Sequence, residues 1–342
     1  MAILDVRNLT VDFNLDDGGT LRAVDDSSFT IERGEVMGLV GESGSGKSVT
    51  ALAIMRLLDS QADITAGQIL FDGEDLAAKS EAEMRAIRGR RISMVFQEPM
   101  TSLNPAYTVG DQVSEVFRAH FDMGFGESKQ RAIEMFERVK IPQPKDTYGK
   151  FPHEFSGGMR QRVMIAIALA CGPDLLIADE PTTALDVTIQ AQVLSVIQDL
   201  QRDMGLALLF ISHDLEVVAQ LCDKVAVMYG ARIMEVSEST ELFSSPRHPY
   251  TDGLLRSIPR RGQPLTPIAG TIFDLRSPPD GCRFHPRCPY AEDRCRREMP
   301  ELRVVEPVAA STDPGSSGDS GGTGDRRQAA CHFPLTGAGA KA

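Results

Sequence analysis

Residues 3 to 33 alternate apolar and polar positions, with Leu9, Val11 and Phe13 in one run and Phe29 and Ile31 in the next. A two-residue period places such side chains on one face of a pleated strand. Asp16-Asp17-Gly18-Gly19 stands between the runs, so the pattern predicts two antiparallel strands joined by a turn. Further on, alternation gives way to short, uniformly apolar runs at residues 36 to 40, 92 to 96, 175 to 178 and 206 to 211. A strand that is apolar on both faces belongs in a mostly parallel sheet covered on both sides. Helical character is predicted for residues 49 to 58, 109 to 120 and 129 to 140. The stretch from Gln97 to Phe155 carries helical pattern throughout, which predicts a helical subdomain, at about residues 98 to 170, inserted into the sheet domain. Residues 224 to 236 read as a closing hairpin and residues 238 to 259 as a helical exit.

From Arg260 onward Pro, Arg and Cys dominate and periodicity fades. The expected organisation is an α/β domain over residues 1 to 259 and a small irregular module over residues 260 to 342. Within that module residues 311 to 328, rich in Ser, Gly and Asp near their start, are expected to form a disordered loop. At 342 residues the chain has room for both units and for a sizeable core. The longest apolar run, residues 163 to 171, falls far short of the roughly 20 residues of a bilayer-spanning helix. Asp5 stands where a secretory leader would need its apolar core. A soluble chain is expected, with other chains supplying any membrane-embedded part. The net charge of −12 argues against a general nucleic-acid or anionic-membrane binder, since either needs a basic face.

The apolar run at 36 to 40 leads directly into Gly41-Glu42-Ser43-Gly44-Ser45-Gly46-Lys47-Ser48, and Val49 opens the helical run behind it. Strand, glycine loop and helix form the context of a phosphate loop. Glycines let the backbone wrap a phosphate, Lys47 balances the charge of the β and γ groups, and the Ser48 hydroxyl ligates Mg²⁺. Asp179 and Glu180 end the strand that begins at Leu175. Asp179 suits a Mg²⁺ held through water, and Glu180 suits a general base that polarises the attacking water; solvated strand-end acids are the bland alternative. Gln97 follows another strand, where it can touch both Mg²⁺ and the lytic water. His213, in Ile211-Ser212-His213-Asp214, follows a third and could bond the γ-phosphate. Taken singly, each is as readily a surface or structural residue.

Phe155-Ser156-Gly157-Gly158-Met159-Arg160-Gln161-Arg162 is the most informative stretch in the chain. A Ser-Gly-Gly turn opening a basic helix offers a hydroxyl and unhindered N–H groups to a phosphate, although the chain already has one phosphate cradle. The order of phosphate loop, Gln97, Ser156-Gly157-Gly158, Asp179-Glu180, Ala184-Leu185-Asp186 and His213 resembles that of the ATP-binding cassette (ABC) ATPases, over about residues 3 to 250. The resemblance implies ATP and Mg²⁺ as cofactors and a head-to-tail dimer. ATP would lie between the phosphate loop of one subunit and the Ser-Gly-Gly turn of the other, with Asp186 at the shared interface. It also implies an aromatic residue against adenine; Phe13 is the candidate, with a core strand position as the alternative reading. Phe155 stands where the family commonly has Leu, and Met159 where it has Gln.

Ser245-Pro246-Arg247-His248-Pro249-Tyr250-Thr251, the stretch Gly281-Cys282-Arg283-Phe284-His285-Pro286-Arg287-Cys288-Pro289 and the later Cys295 and Cys331-His332 resemble the C-terminal extension of the dipeptide/oligopeptide permease ATPases. That resemblance implies peptide import, with nickel and other small-solute importers as relatives. It also implies two transmembrane permease subunits, a second and different ATPase subunit, an extracytoplasmic solute-binding protein, and a peripheral position on the cytoplasmic face of the bacterial inner membrane. Cys171 and Cys222 sit in apolar segments and are expected to fill core space. Cys282, Cys288, Cys295 and Cys331 cluster late in the chain. Clustered thiols in a cytosolic chain point to metal ligation, and their spacing, wider than the pairs favoured by zinc, points to a [4Fe-4S] cluster. Zinc and free thiols are the alternatives. Two rival functions stand beside transport: a soluble cassette ATPase acting on DNA or ribosomes, and a redox-gated regulatory subunit. The first usually needs a coiled-coil insertion or a second cassette in the chain. The intact Lys47, Glu180 and His213 speak against the second.

Overall fold

The computed structural model describes residues 2–97, 102–183, 185–259, 266–305, 327–337 and 340–341. The strands, in chain order, are β1 (Ala2–Asn14), β2 (Thr20–Glu32), β3 (Val36–Val40), β4 (Ala62–Phe71), β5 (Glu74–Asp75), β6 (Ile92–Val95), β7 (Leu175–Asp179), β8 (Ala207–Ser212), β9 (Lys224–Tyr229), β10 (Arg232–Glu238), β11 (Arg303–Val304), β12 (Gln328–Ala329), β13 (Leu335–Gly337) and β14 (Ala340–Lys341). The helices are α1 (Lys47–Met55), α2 (Glu81–Ile87), α3 (Val109–His120), α4 (Phe125–Arg138), α5 (Pro144–Thr147), α6 (Gly157–Leu169), α7 (Val187–Met204), α8 (Leu215–Leu221), α9 (Ser239–Ser244), α10 (Pro249–Arg256) and α11 (Asp293–Arg297).

Strands β9, β3, β8, β7 and β6 lie side by side in parallel, and β10, β12 and β11 extend that sheet antiparallel beyond β9. The uniformly apolar runs follow from this placement. Val36, Val40, Leu176, Ala178, Leu208 and Phe210 pack into one core cluster, and their strand neighbours Met37, Leu39, Leu175, Ile177, Leu209 and Ile211 into the other. Successive side chains point to opposite faces, and both faces are covered. A smaller antiparallel sheet, in the order β2-β1-β4-β5, closes over the second cluster. Helices α3 to α6 occupy the chain between β6 and β7, which matches the expected helical insertion. Their apolar stripe, including Val113, Phe117, Ala132 and Phe136, joins the first cluster.

Three features depart from the sequence reading. Strand β4 is absent from it because the middle of the strand is exposed and shows no alternation. Helix α1 stops at Met55, since Arg56 takes a left-handed backbone with φ 53°. The C-terminal segment, read as separate, donates β12 to the edge of the large sheet, where Ala329 and Gln328 pair with Glu235 and Val236. Cys282, Phe284 and Cys295 share the first core cluster. Residues 311 to 326, most of the expected loop, lie outside the described residues. Among the described residues no helix is long and apolar enough to cross a membrane.

Candidate nucleotide site

Four adjacent parallel strands, β3, β8, β7 and β6, end on the same edge of the sheet, and each hands over a candidate site residue there. The phosphate loop follows β3, His213 follows β8, Asp179 ends β7 with Glu180 directly after it, and Gln97 follows β6. The carboxyl edge of a parallel sheet is where open α/β folds bind ligands, because loops and helix N-termini converge there.

Glycine is required in the phosphate loop by contact as well as conformation. A Cβ on Gly46, at φ +106°, would run into the Ala23 carbonyl oxygen, and one on Gly41 into that of Met228. The loop is thus seated on β2 and on the end of β9. Lys47 is 5% exposed, and its Nζ donates to the carbonyl oxygens of Gly41 at 2.8 Å and Glu42 at 3.0 Å. Burial lowers its pKa, opposed by the charges of Glu180, Asp179 and Glu42. The Ser48 hydroxyl donates to Asp179 Oδ1 at 3.1 Å, which brings two of the three expected Mg²⁺ ligands together. Burial raises the Asp179 pKa; Ser48 works against that shift and Glu180 adds to it. A cation at this point would relieve the crowding of negative charge.

Glu180 is held in a left-handed backbone, φ 45°, and its N–H donates to Ile211 O at 3.0 Å. Such a conformation costs a carboxylate residue roughly 1 kcal/mol or more, and strain of this kind gathers at functional positions. Its Oε2 accepts from Gln97 Nε2 at 3.0 Å and from the Thr183 hydroxyl at 2.9 Å, and lies 3.3 Å from His213 Nδ1. Gln97, Glu180 and His213 therefore meet at one oxygen, although each follows a different strand. Thr183 was missed by the sequence reading; its place three residues beyond Glu180, after Pro181, was the available signal.

Ser156 and Asp186 each cap a helix. Ser156 Oγ accepts from the Met159 N–H at 3.4 Å at the start of α6, and Asp186 Oδ1 from the Ile189 N–H at 3.0 Å at the start of α7. Both are exposed, while Phe155 is buried in the core. A Cβ on Gly158 would run into Ile189 Cγ2, so this glycine also lets α6 approach α7. Ala184 lies outside the described residues. Phe13 is half-buried in β1, opposite Leu21 and Ala62, and packs against the second core cluster. Ser43 and Gly44 are exposed at the loop tip, Ser45 is buried, and Val49 is half-buried behind the loop on α1.

None of the six cysteines is paired in a disulfide. Cys222 is buried in the core as expected, and Cys171 is half-buried. Cys282, Cys288, Cys295 and Cys331 line one small pocket together with His285, Tyr290 and His332. Burial, reinforced by the other three thiols, pushes Cys331 up to about 12. Among the described residues no three His, Cys, Asp or Glu side chains form a group able to hold a metal ion, so the expected metal site is not formed by these side chains as they stand.

Residues 24–183 match the ABC transporter family, and residues 234–295 match the C-terminal region of oligopeptide/dipeptide transporters. The chain is 46% identical, over 99% of both lengths, to the dipeptide transport ATP-binding protein DppD of Escherichia coli K12. It belongs to the ATP-binding subunits of the oligopeptide/dipeptide ABC transporter family. This family member is also 51% identical to DppD of Bacillus subtilis, covering 87% of the chain and 90% of that protein. A probable peptide ABC transporter ATP-binding protein of Sinorhizobium fredii, y4tR, is 51% identical over 90% of the chain and 93% of its own length. Among solved structures, the dimeric ATP-binding cassette MJ0796 bound to ADP and Pi is similar at a TM-score of 0.62 and 25% identity, covering 69% of this chain and 98% of that one. CbiO1 of Clostridium perfringens, part of the transporter complex cbiONQ, is similar at 0.60 and 28%, covering 71% and 90%. The protein is thus a transporter ATPase of the ABC fold, and ATP with Mg²⁺ are the cofactors of that class.

Proposed function

We propose that this subunit binds Mg-ATP on the carboxyl edge of the sheet and hydrolyses it to drive import of dipeptides or oligopeptides. The meeting of Gln97, Thr183 and His213 on one oxygen of Glu180, beside the Ser48–Asp179 pair, carries the reading. The phosphate loop from Gly41 to Ser48 cradles the β and γ phosphates through its N–H groups, and Lys47 exchanges its carbonyl partners for phosphate oxygens. Ser48, Asp179 and Gln97 would hold Mg²⁺, which screens the charge of the phosphates. Glu180, anchored through Oε2, accepts a proton from water as the water oxygen attacks the γ-phosphorus. The bond from that phosphorus to the bridging oxygen breaks, and ADP leaves. His213 stabilises the γ-phosphate and orients the water.

Ser156 and Asp186 are exposed, and together with Gly157 and Gly158 they lack a role within one subunit beyond capping and packing. In the proposed head-to-tail dimer they face the nucleotide held by the other subunit, as the dimeric state of the similar cassette MJ0796 supports. A related second ATPase chain, two membrane-spanning permease subunits and a solute-binding protein complete the importer, with this subunit peripheral to the membrane. The dipeptide transport names of its relatives support the solute class.

The four thiols Cys282, Cys288, Cys295 and Cys331 are proposed to hold a [4Fe-4S] cluster, which would staple the C-terminal segment. Their spacing along the chain, wider than the close cysteine pairs of structural zinc sites, favours a cluster over a single zinc ion. The pocket shared by all four supports that choice.

The deciding experiment reconstitutes the subunit with its permeases, partner ATPase and binding protein, and measures ATP hydrolysis as dipeptides, oligopeptides and nickel are added. Stimulation by peptides alone is expected. Stimulation by nickel with indifference to peptides would overturn the solute assignment.

A further inference from the structure

The C-terminal segment reaches the phosphate loop itself. Arg287, the residue before Cys288, donates from Nη1 and Nη2 to the two carboxylate oxygens of Glu42, at 2.7 and 3.1 Å. Glu42 follows Gly41 as the second residue of the loop, and its own N–H donates to the Tyr250 hydroxyl at 3.0 Å. The pair is sheltered: the side chain of Arg287 is 6% exposed and that of Glu42 is 24% exposed. The Tyr229 ring stands 4.6 Å from that of Tyr250 and 5.3 Å from that of Phe284, and the guanidinium sits 5.7 Å from the Tyr229 ring centre. Arg287 Nε also donates to Ala269 O at 3.1 Å, so the fork is held from behind.

A carboxylate beside a triphosphate site is a liability. Glu42 lies near enough to raise the Lys47 pKa, and its carbonyl oxygen is already a partner of Lys47 Nζ. Unpaired, its charge would oppose phosphate binding, and its side chain would be free to compete for Lys47. A bidentate guanidinium cancels the charge and fixes the plane of the carboxylate, which a point-like ammonium does less well. Nearby, Arg283 donates to Asp25 Oδ2 at 3.0 Å and ties the same segment to β2, the strand on which Gly46 is seated.

We infer that Arg287 is a positioning residue of the nucleotide site, through which the cysteine-bearing segment sets affinity for ATP by neutralising Glu42. The inference rests on the nucleotide site proposed above. Its test is a double-mutant cycle on the full chain, read by titration with a fluorescent ATP analogue and by steady-state hydrolysis. Arg287→Gln should raise Kd and KM for ATP about tenfold while kcat changes less than about twofold. Arg287→Lys should recover part of the loss, and Arg287→Gln combined with Glu42→Gln should restore affinity to within about threefold of the parent. If affinity is unaltered in Arg287→Gln, or is lost equally with and without Glu42→Gln, the inference is overturned. If the parent protein itself binds no nucleotide, the fault lies in the site assignment instead.

Discussion

The Ser48 hydroxyl donates to the Asp179 carboxylate across 3.1 Å, although 131 positions separate the two residues. The bond joins the end of the phosphate loop to the end of β7, and β8 lies between β3 and β7 in the sheet. A cation bound here is reached from both motifs at once. Parallel strands place their carboxyl ends on one edge, so residues distant in the chain become neighbours without any long-range pairing of their own.

Beside that pair, Glu180 is oriented by three neighbours and strained in its backbone. Glu180→Gln keeps the shape and loses the base. We expect ATP binding within about twofold of the parent and hydrolysis lowered by at least about a hundredfold, the usual scale for a general base. Phosphate release and nucleotide titration measured in parallel check this; equal turnover would remove Glu180 from the role.

Ser156 is exposed, so a long side chain there should not disturb the core. Ser156→Arg removes a helix cap, costing about 1 kcal/mol, and fills the space where a second subunit's nucleotide is proposed to sit. Hydrolysis should fall at least about a hundredfold while ATP still binds the single subunit. Full-speed hydrolysis by a strictly monomeric Ser156→Arg protein would end the shared-site picture.

Gly158 meets Ile189 Cγ2 in the contact between α6 and α7. The β-branched side chain has little freedom to move aside. Gly158→Ala should therefore destabilise the protein by about 1–3 kcal/mol, as overpacking does, despite alanine's better helix propensity. Ile189→Ala in the same chain should return part of that loss. Urea unfolding of the two variants decides it, and an unchanged midpoint for Gly158→Ala would refute the packing argument.

His248 is 1% exposed, and burial holds its imidazole down at about 3. Its Nδ1 accepts from the Tyr250 N–H at 3.0 Å and caps α10, which only the unprotonated nitrogen can do. Between about pH 6.5 and 3 the unfolded chain takes up a proton that the folded chain refuses, so stability present above that window is lost as pH falls through it. The group contributes at most about 1.4 kcal/mol per pH unit. Replacement by a non-titrating cap, His248→Asn, should make the fall between pH 6 and 4 shallower. Parallel stability profiles for the two proteins would show that His248 is not the group responsible.

The cysteine pocket is checked by anaerobic purification followed by iron, sulfide and zinc analysis. About four irons and four sulfides per chain are expected. Stoichiometric zinc without iron would overturn the cluster.

Much of the site was legible because its chemistry is carried by short, local signatures. A glycine loop between strand and helix, two acids closing an apolar strand and a Ser-Gly-Gly turn can each be recognised within a few residues. Contacts made by folding were not legible. Thr183 meets Glu180 because the backbone turns at Pro181, and Arg287 reaches Glu42 from 245 positions away. Strand β4 was not legible because its exposed middle lacks the alternation that a half-buried strand shows.

Sequence alone determined the phosphate loop, the acidic strand end, the two-faced burial of the parallel strands and the helical insertion. Each depends on local backbone preference or on the period with which side chains alternate between faces. Tertiary structure decided which residues share an oxygen, which glycine is demanded by a neighbour's methyl group, and that the cysteine-bearing segment completes the large sheet and grips the phosphate loop. Those outcomes depend on distances between elements, and such distances are set by how the whole core packs, which no single stretch of chain encodes.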